Sequence, residues 1–176
     1  MTPRVLVLVG LPGTGKTALA QAIVTHRMAR GRPALVLHVD LLKHTLRLAG
    51  FRTLDGPIWE GDPDEKFRIV HPYLHQHADK ARRDGYDLVI EGSLAMGFTT
   101  ADRYIQLQAP RAVRTARISQ KHAEAKTALA GVDFDHLDNL LEDHAVDIRE
   151  VLTTQAEIAD LVLGVESTWN PPLEGV

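Results

Sequence analysis

The stretch Gly10 to Thr17, GLPGTGKT, constrains this chain more than any other, because it follows an unbroken aliphatic run and opens into TALAQAIV. It fits the pattern G-x-x-x-x-G-K-[ST], in which a loop between a buried strand and a helix turns successive backbone N–H groups toward an anion. Glycines let the backbone curl that tightly, and Pro12 stiffens the entry. The first turn of the following helix adds its partial positive charge. Gly10, Leu11, Pro12, Gly13, Thr14, Gly15, Lys16, Thr17 and Ala18 form the expected cradle for the phosphates of a nucleotide. Lys16 would reach the β- and γ-phosphates and Thr17 would offer its hydroxyl to a metal, so ATP and Mg²⁺ are the expected cofactors.

The flanking pattern predicts the fold. Arg4–Val9 reads as a strand covered on both faces, and a helix is expected from about Lys16 to Ala29, ended by Gly31. Ala34–Val39 reads as a second buried strand closing on Asp40, with a short helix over Leu41–Ala49. Asp62, Pro63 and Glu65 open a helix to about Asp84, with Phe67, Val70, Leu74, Ala78 and Ala81 on one face and Pro72 expected to bend it. Tyr86–Ile90 is a third strand closing on Glu91, and Arg103–Leu107 a fourth, followed by a basic helix from about Arg111. Leu137, Leu141, Ile148 and Leu152 stripe a long helix, and Leu161–Val165 reads as the last strand. The alternation predicts one α/β domain over residues 1–176: a five-stranded parallel sheet in the order 2-3-1-4-5, helices on both faces, and a small helical lid near residues 118–135.

Composition narrows the function. A net charge of −3 over 176 residues offers no general attraction to nucleic acid or anionic membrane. With no cysteine, disulfides and thiolate metal sites are excluded, which suits a cytoplasmic protein. The longest apolar run near the start, Val5–Val9, is too short for a signal-peptide core or a membrane span. Nine histidines include His71 and His75 at helical spacing, but Pro72 between them and the lack of H-E-x-x-H favour an exposed face over a metal site.

Among phosphate-loop classes, a GTPase needs N-K-x-D, which is missing, and D-x-x-G after the third strand, where this chain has IEGS. A transporter ATPase needs LSGGQ, also missing, and a motor needs an acidic pair ending its third strand. A small kinase needs an acceptor-side carboxylate, cations over the transferring phosphoryl group and a lid that excludes water, and the chain offers each. GLPGTGKT, the strand ending in Asp40, IEGSL, QLQAPRAVRTARISQK and ADLVLGVESTWNPP together resemble the phosphate-loop small-molecule kinases. That superfamily includes adenylylsulfate kinase, gluconate kinase, chloramphenicol phosphotransferase, zeta-toxin-type kinases and the adenylate kinases. The resemblance covers nearly the whole chain and implies a phosphate-loop fold and an ATP-dependent phosphotransferase with a small hydroxyl compound as acceptor.

Residues then take candidate roles. Asp40 and Glu91 stand at strand ends on the carboxyl edge of the sheet, where open α/β sheets bind ligands. By the resemblance, an acid at Asp40 contacts the acceptor hydroxyl or assists its deprotonation; its other reading is a helix cap. Adenylylsulfate kinase carries a second Asp where this chain has Leu42, a departure that weakens adenylylsulfate as acceptor. Glu91 either acts on the metal side through water or orients the acceptor, and the choice of base between Asp40 and Glu91 stays open. Ser93, Arg47 and Arg114 are candidate acceptor contacts, and Trp59 either walls the acceptor pocket or packs on a neighbouring helix. Arg117 and Lys121, four apart on one helix face, resemble the R-x-x-x-R of adenylate-kinase-like lids. The resemblance puts Arg117 by the adenine and Lys121 on the transferring phosphate, with lysine a point charge in place of a fork. It also places Ser167–Pro172 against the adenine, with Trp169 either stacking or covering. Two other readings remain: a kinase of a macromolecular end, such as a polynucleotide 5′-hydroxyl or an aminoacyl-tRNA, and a non-transferring regulatory ATP-binding module. The first calls for a broad basic track, which the net acidity opposes.

Overall fold

The computed structural model describes residues 2–53, 56–57, 62–124, 151–153, 162 and 165. Strand β1 (Val5–Val9) is followed by helix α1 (Lys16–Ala29), strand β2 (Ala34–His38) and helix α2 (Val39–Leu48). Two-residue strands β3 (Arg52–Thr53) and β4 (Gly56–Pro57) pair antiparallel by themselves. Helix α3 (Pro63–Asp84), strand β5 (Asp87–Glu91), a 3₁₀ turn at Ser93–Ala95, strand β6 (Arg103–Gln108), helix α4 (Arg111–Glu124) and strand β7 (Val151–Thr153) complete the described elements.

The main sheet runs β2-β5-β1-β6-β7 with every pairing parallel, so its strands taken in chain order stand in the expected 2-3-1-4-5, with the fifth place held by Val151–Thr153, where a helix was expected. Four strands have five or six residues, and β7 adds three at the edge. In β1 every side chain is buried, and successive ones enter opposite cores because side chains alternate across a strand. Val5, Val7 and Val9 join Val39 and Leu46 of α2, Val70, Leu74, Ala78 and Ala81 of α3, and Ile90. Leu6 and Leu8 join Leu19, Ala20 and Ile23 of α1, with Val89, Ile105 and Leu107. Both faces of the sheet are therefore covered, which is what an unbroken aliphatic strand requires. Each such side chain contributes roughly 1.5–3 kcal/mol on burial.

The helix signals act as their chemistry dictates. Asp62 accepts from Asp64 N at 2.8 Å at the start of α3, and Gly85 closes its end in the left-handed conformation. The helix continues past Pro72. At the amino end of the sheet, Asp87 gathers Arg27, the Arg32 guanidinium at 3.0 Å and the Arg4 N–H at 2.9 Å; Arg27 and Asp87 are both buried. Asp87 thus ties the start of β5 to α1 and to the start of β1.

Three expectations need correction. Leu152 lies in β7, whose register against Gln106–Gln108 satisfies the backbone edge of β6; the rest of the expected stripe lies outside the described residues. Val162 and Val165 are helical, not part of a final strand. They are three apart and both buried in the core on the α1 face, and a five-residue apolar run does not distinguish a strand from a buried helical turn. Asp40 does not end β2: α2 starts at Val39, so Asp40 is in its first turn.

Candidate nucleotide and acceptor site

The loop between β1 and α1 lies at the carboxyl edge of the sheet, and its glycines are required by position. Gly10 has φ +141°, and a Cβ there would stand 2.3 Å from the Leu107 carbonyl oxygen at the end of β6. Gly13, φ +81°, would bring a Cβ within 2.7 Å of the Arg114 carbonyl oxygen, so the backbone of α4 closes against the loop at this point. Thr14 is buried and its hydroxyl donates to the Leu11 carbonyl at 2.8 Å, tying the turn together. Gly15, left-handed at φ 93°, is the N-cap of α1, and the first turn of that helix holds no acidic residue. The helix therefore presents N–H groups and partial positive charge without an internal anion to cancel them. Lys16 Nζ donates to the loop's own carbonyls, Gly10 O at 2.8 Å and Leu11 O at 3.0 Å.

Facing the loop from β5, Glu91 is 5% exposed. Its Oε1 accepts the Thr17 hydroxyl at 3.2 Å and stands 2.7 Å from His38 Nδ1 at the end of β2. The register that pairs His38 with Glu91 across β2 and β5 brings this trio together. Beyond Glu91 the chain turns sharply at Gly92, φ +145°, where a Cβ would lie 2.8 Å from Val39 Cβ; this close approach seats α2 over the strand end. Ser93 begins the 3₁₀ turn that follows.

Arg117 donates through Nη1 to Gly13 O at 3.2 Å, so α4 carries a cation to the rim of the loop. Arg114 is buried, and its Nε donates to Ala109 O at 3.2 Å at the junction of β6 and α4. Asp40 is 75% exposed at its side chain and faces Lys43 at 3.9 Å, and Arg47 is exposed on the same helix. The helical rise after His38 turns Asp40 to solvent and leaves Glu91 as the carboxylate against the loop. Lys121 lies in α4, and α4 occupies residues 118–124 of the expected lid. Ile118 is buried there. Residues 125–135, Trp59 and Trp169 lie outside the described residues, as does the side chain of Lys121.

His38 was not among the sequence candidates, because ALVLHV reads as one buried strand. Its signal was a lone imidazole at the carboxyl end of a strand in a ligand-binding sheet. His71 and His75 sit apart from the site, on α3 against Phe98, with ring centroids 6.2 and 4.7 Å away. Burial pushes the His71 imidazole below its ordinary value, opposed by the Leu94 and Met96 backbone and helped by neighbouring His75. Among the described residues no three histidines or acids are grouped to hold a metal, and no helix is long and apolar enough to cross a membrane.

No protein-family model matches the chain, and no curated protein matches it in sequence. Solved structures do match in fold. The Mycobacterium tuberculosis APS kinase CysC, in complex with AMPPNP and APS, is 16% identical with TM-score 0.62, covering 96% of this chain and 98% of that one. Shikimate kinase from Acinetobacter baumannii, in complex with shikimate, is 18% identical with TM-score 0.59, covering 96% and 93%. A gluconokinase from Sinorhizobium meliloti 1021 is 17% identical with TM-score 0.52, covering 92% and 89%. The chain shares the fold of these three proteins over nearly its whole length.

Proposed function

We propose that this chain is an ATP-dependent phosphotransferase that moves the γ-phosphoryl group of MgATP to a hydroxyl of a small molecule. One observation carries the reading: the amide-lined loop with Lys16 and Thr17 faces a buried strand-end carboxylate, Glu91, at hydrogen-bond distance from Thr17. A buried acid beside an anion nest is what phosphoryl transfer uses, either to hold Mg²⁺ through water or to orient the acceptor. The fold neighbours named as APS kinase, shikimate kinase and gluconokinase support the same chemistry with different acceptors.

In this reading the loop amides and the α1 N-terminus bind the β- and γ-phosphates. Lys16 exchanges its bonds to the Gly10 and Leu11 carbonyls for phosphate oxygens. Arg117, which donates to Gly13 O, is assigned to the nucleotide, and Lys121, one turn further along α4, keeps its sequence-based assignment to the transferring phosphate. The hydroxyl of Thr17, in the first turn of α1, fits Mg²⁺, a hard ion that takes few protein oxygens and completes its shell with phosphates and water. Bound there, Mg²⁺ would neutralise charge on the β- and γ-phosphates. Glu91 orients the acceptor side, with Ser93 close behind it in the chain. Asp40 and Arg47, on the exposed face of α2, are proposed as outer acceptor contacts. Trp59 keeps its two sequence-based readings, acceptor wall or helix packing, and Trp169 its two, stacking on the adenine or covering it.

Incubating the chain with MgATP and a panel of hydroxyl metabolites and antibiotics tests the reading. Stimulated ADP release with a phosphate ester identified by mass is expected from at least one compound. Slow hydrolysis that no compound accelerates would instead favour a regulatory module.

A further inference from the structure

We infer that His38 is the general base of this site: its imidazole, oriented by Glu91, takes the proton of the attacking hydroxyl. The inference rests on the phosphotransferase reading and names a catalytic residue within it. His38 is the last residue of β2 and the N-cap residue of α2, at the carboxyl edge of the sheet where an acceptor would enter. Its Nδ1 lies 2.7 Å from Glu91 Oε1. A carboxylate only accepts, so the proton of the neutral ring is on Nδ1 and the lone pair is on Nε2. The Glu91 side chain is 7% exposed and that of His38 is 31% exposed. The ring is thus anchored through Nδ1 to a buried carboxylate while its side chain stays partly exposed.

The competing acids fit the role less well. Asp40 is in solvent beside Lys43. Glu91 Oε1 is already engaged, accepting from both Thr17 and His38. An imidazole held by a buried carboxylate is the arrangement by which a hydroxyl is deprotonated near neutral pH. In the step, the acceptor O–H bond breaks and its proton passes to His38 Nε2. The oxygen bonds to the γ-phosphorus while the bond from that phosphorus to the β,γ-bridging oxygen breaks, and ADP leaves. The resulting imidazolium is paired with the Glu91 carboxylate until it returns its proton to water.

Two measurements on the full chain test this. Nitrogen NMR of ¹⁵N-histidine-labelled protein, with the His38 signals assigned from the His38→Asn spectrum, should show the neutral ring protonated on Nδ1 and bare at Nε2. The opposite tautomer overturns the inference. Single-turnover ADP formation from MgATP, with water as acceptor, should slow about 10²- to 10⁴-fold in both His38→Asn and His38→Ala, at unchanged MgATP affinity. Asparagine can keep the donor to Glu91 but not the base. If His38→Asn turns over like the parent, His38 only holds Glu91 and the inference fails. A parent chain that binds no MgATP sinks the phosphotransferase reading and this inference together; MgATP binding with the wrong tautomer sinks the inference alone.

Discussion

Replacing Asp87 with alanine separates the two ends of the sheet. Asp87 is 3% exposed and satisfies Arg27, itself 1% exposed, together with Arg32 at 3.0 Å and the Arg4 amide at 2.9 Å. Removing the carboxylate takes away the Asp87 half of a buried ion pair with the Arg27 guanidinium. Breaking a buried pair from one side costs about 3–5 kcal/mol. For a domain of this size each kcal/mol moves Tm by about 2–4 °C, so the expected fall is about 6–20 °C. Urea titration should show the same loss in midpoint with m unchanged. The loop, Glu91 and His38 stand at the other end of the strands, so at a temperature well below the new Tm the affinity for MgATP should stay within twofold. A Tm drop under about 2 °C would refute the assignment of Asp87 as a stability residue. A large loss of MgATP affinity in folded protein would refute the separation of the two ends.

Gly13→Ala should weaken nucleotide binding while the core stays folded, because the new Cβ meets the Arg114 carbonyl oxygen at 2.7 Å at a φ that costs about 1–3 kcal/mol; calorimetry and near-UV circular dichroism check the two halves. Leu8→Ala, in a fully buried strand, should cost about 2–5 kcal/mol by urea unfolding. His71 titrates below its ordinary 6.5 in the folded chain, so the unfolded chain binds the extra proton first. Stability is therefore complete above pH 6.5 and is lost as pH falls from there toward the folded value, and His71→Gln should flatten that part of a Tm–pH curve.

Much of this architecture was legible locally. GLPGTGKT, the aliphatic β1 and the cap residues Asp62 and Gly85 act through bonds to near neighbours, so their spacing carried their structure. The α3 face Phe67, Val70, Leu74, Ala78 and Ala81 followed from helical period; Phe67 is partly buried against the core and the other four are fully in it. Long-range register was not legible. His38 matters because it pairs across the sheet with Glu91, 53 residues away in the chain. Asp40 looked like a strand end because the sequence does not show that α2 begins one residue earlier, and one helical step moves the side chain to solvent. Val162 and Val165 failed as a strand for a related reason: short apolar runs specify burial and leave periodicity undecided.

Calorimetric titration of the parent chain and Lys16→Ala with ATP, with and without Mg²⁺, tests the central claim most directly. The account predicts one MgATP per chain, tighter with Mg²⁺ than without it, and at least tenfold weaker in a folded Lys16→Ala variant, the loss expected when a charged contact of about 1.5–3 kcal/mol is removed. No binding by the parent, or equal affinity in both proteins, would contradict it.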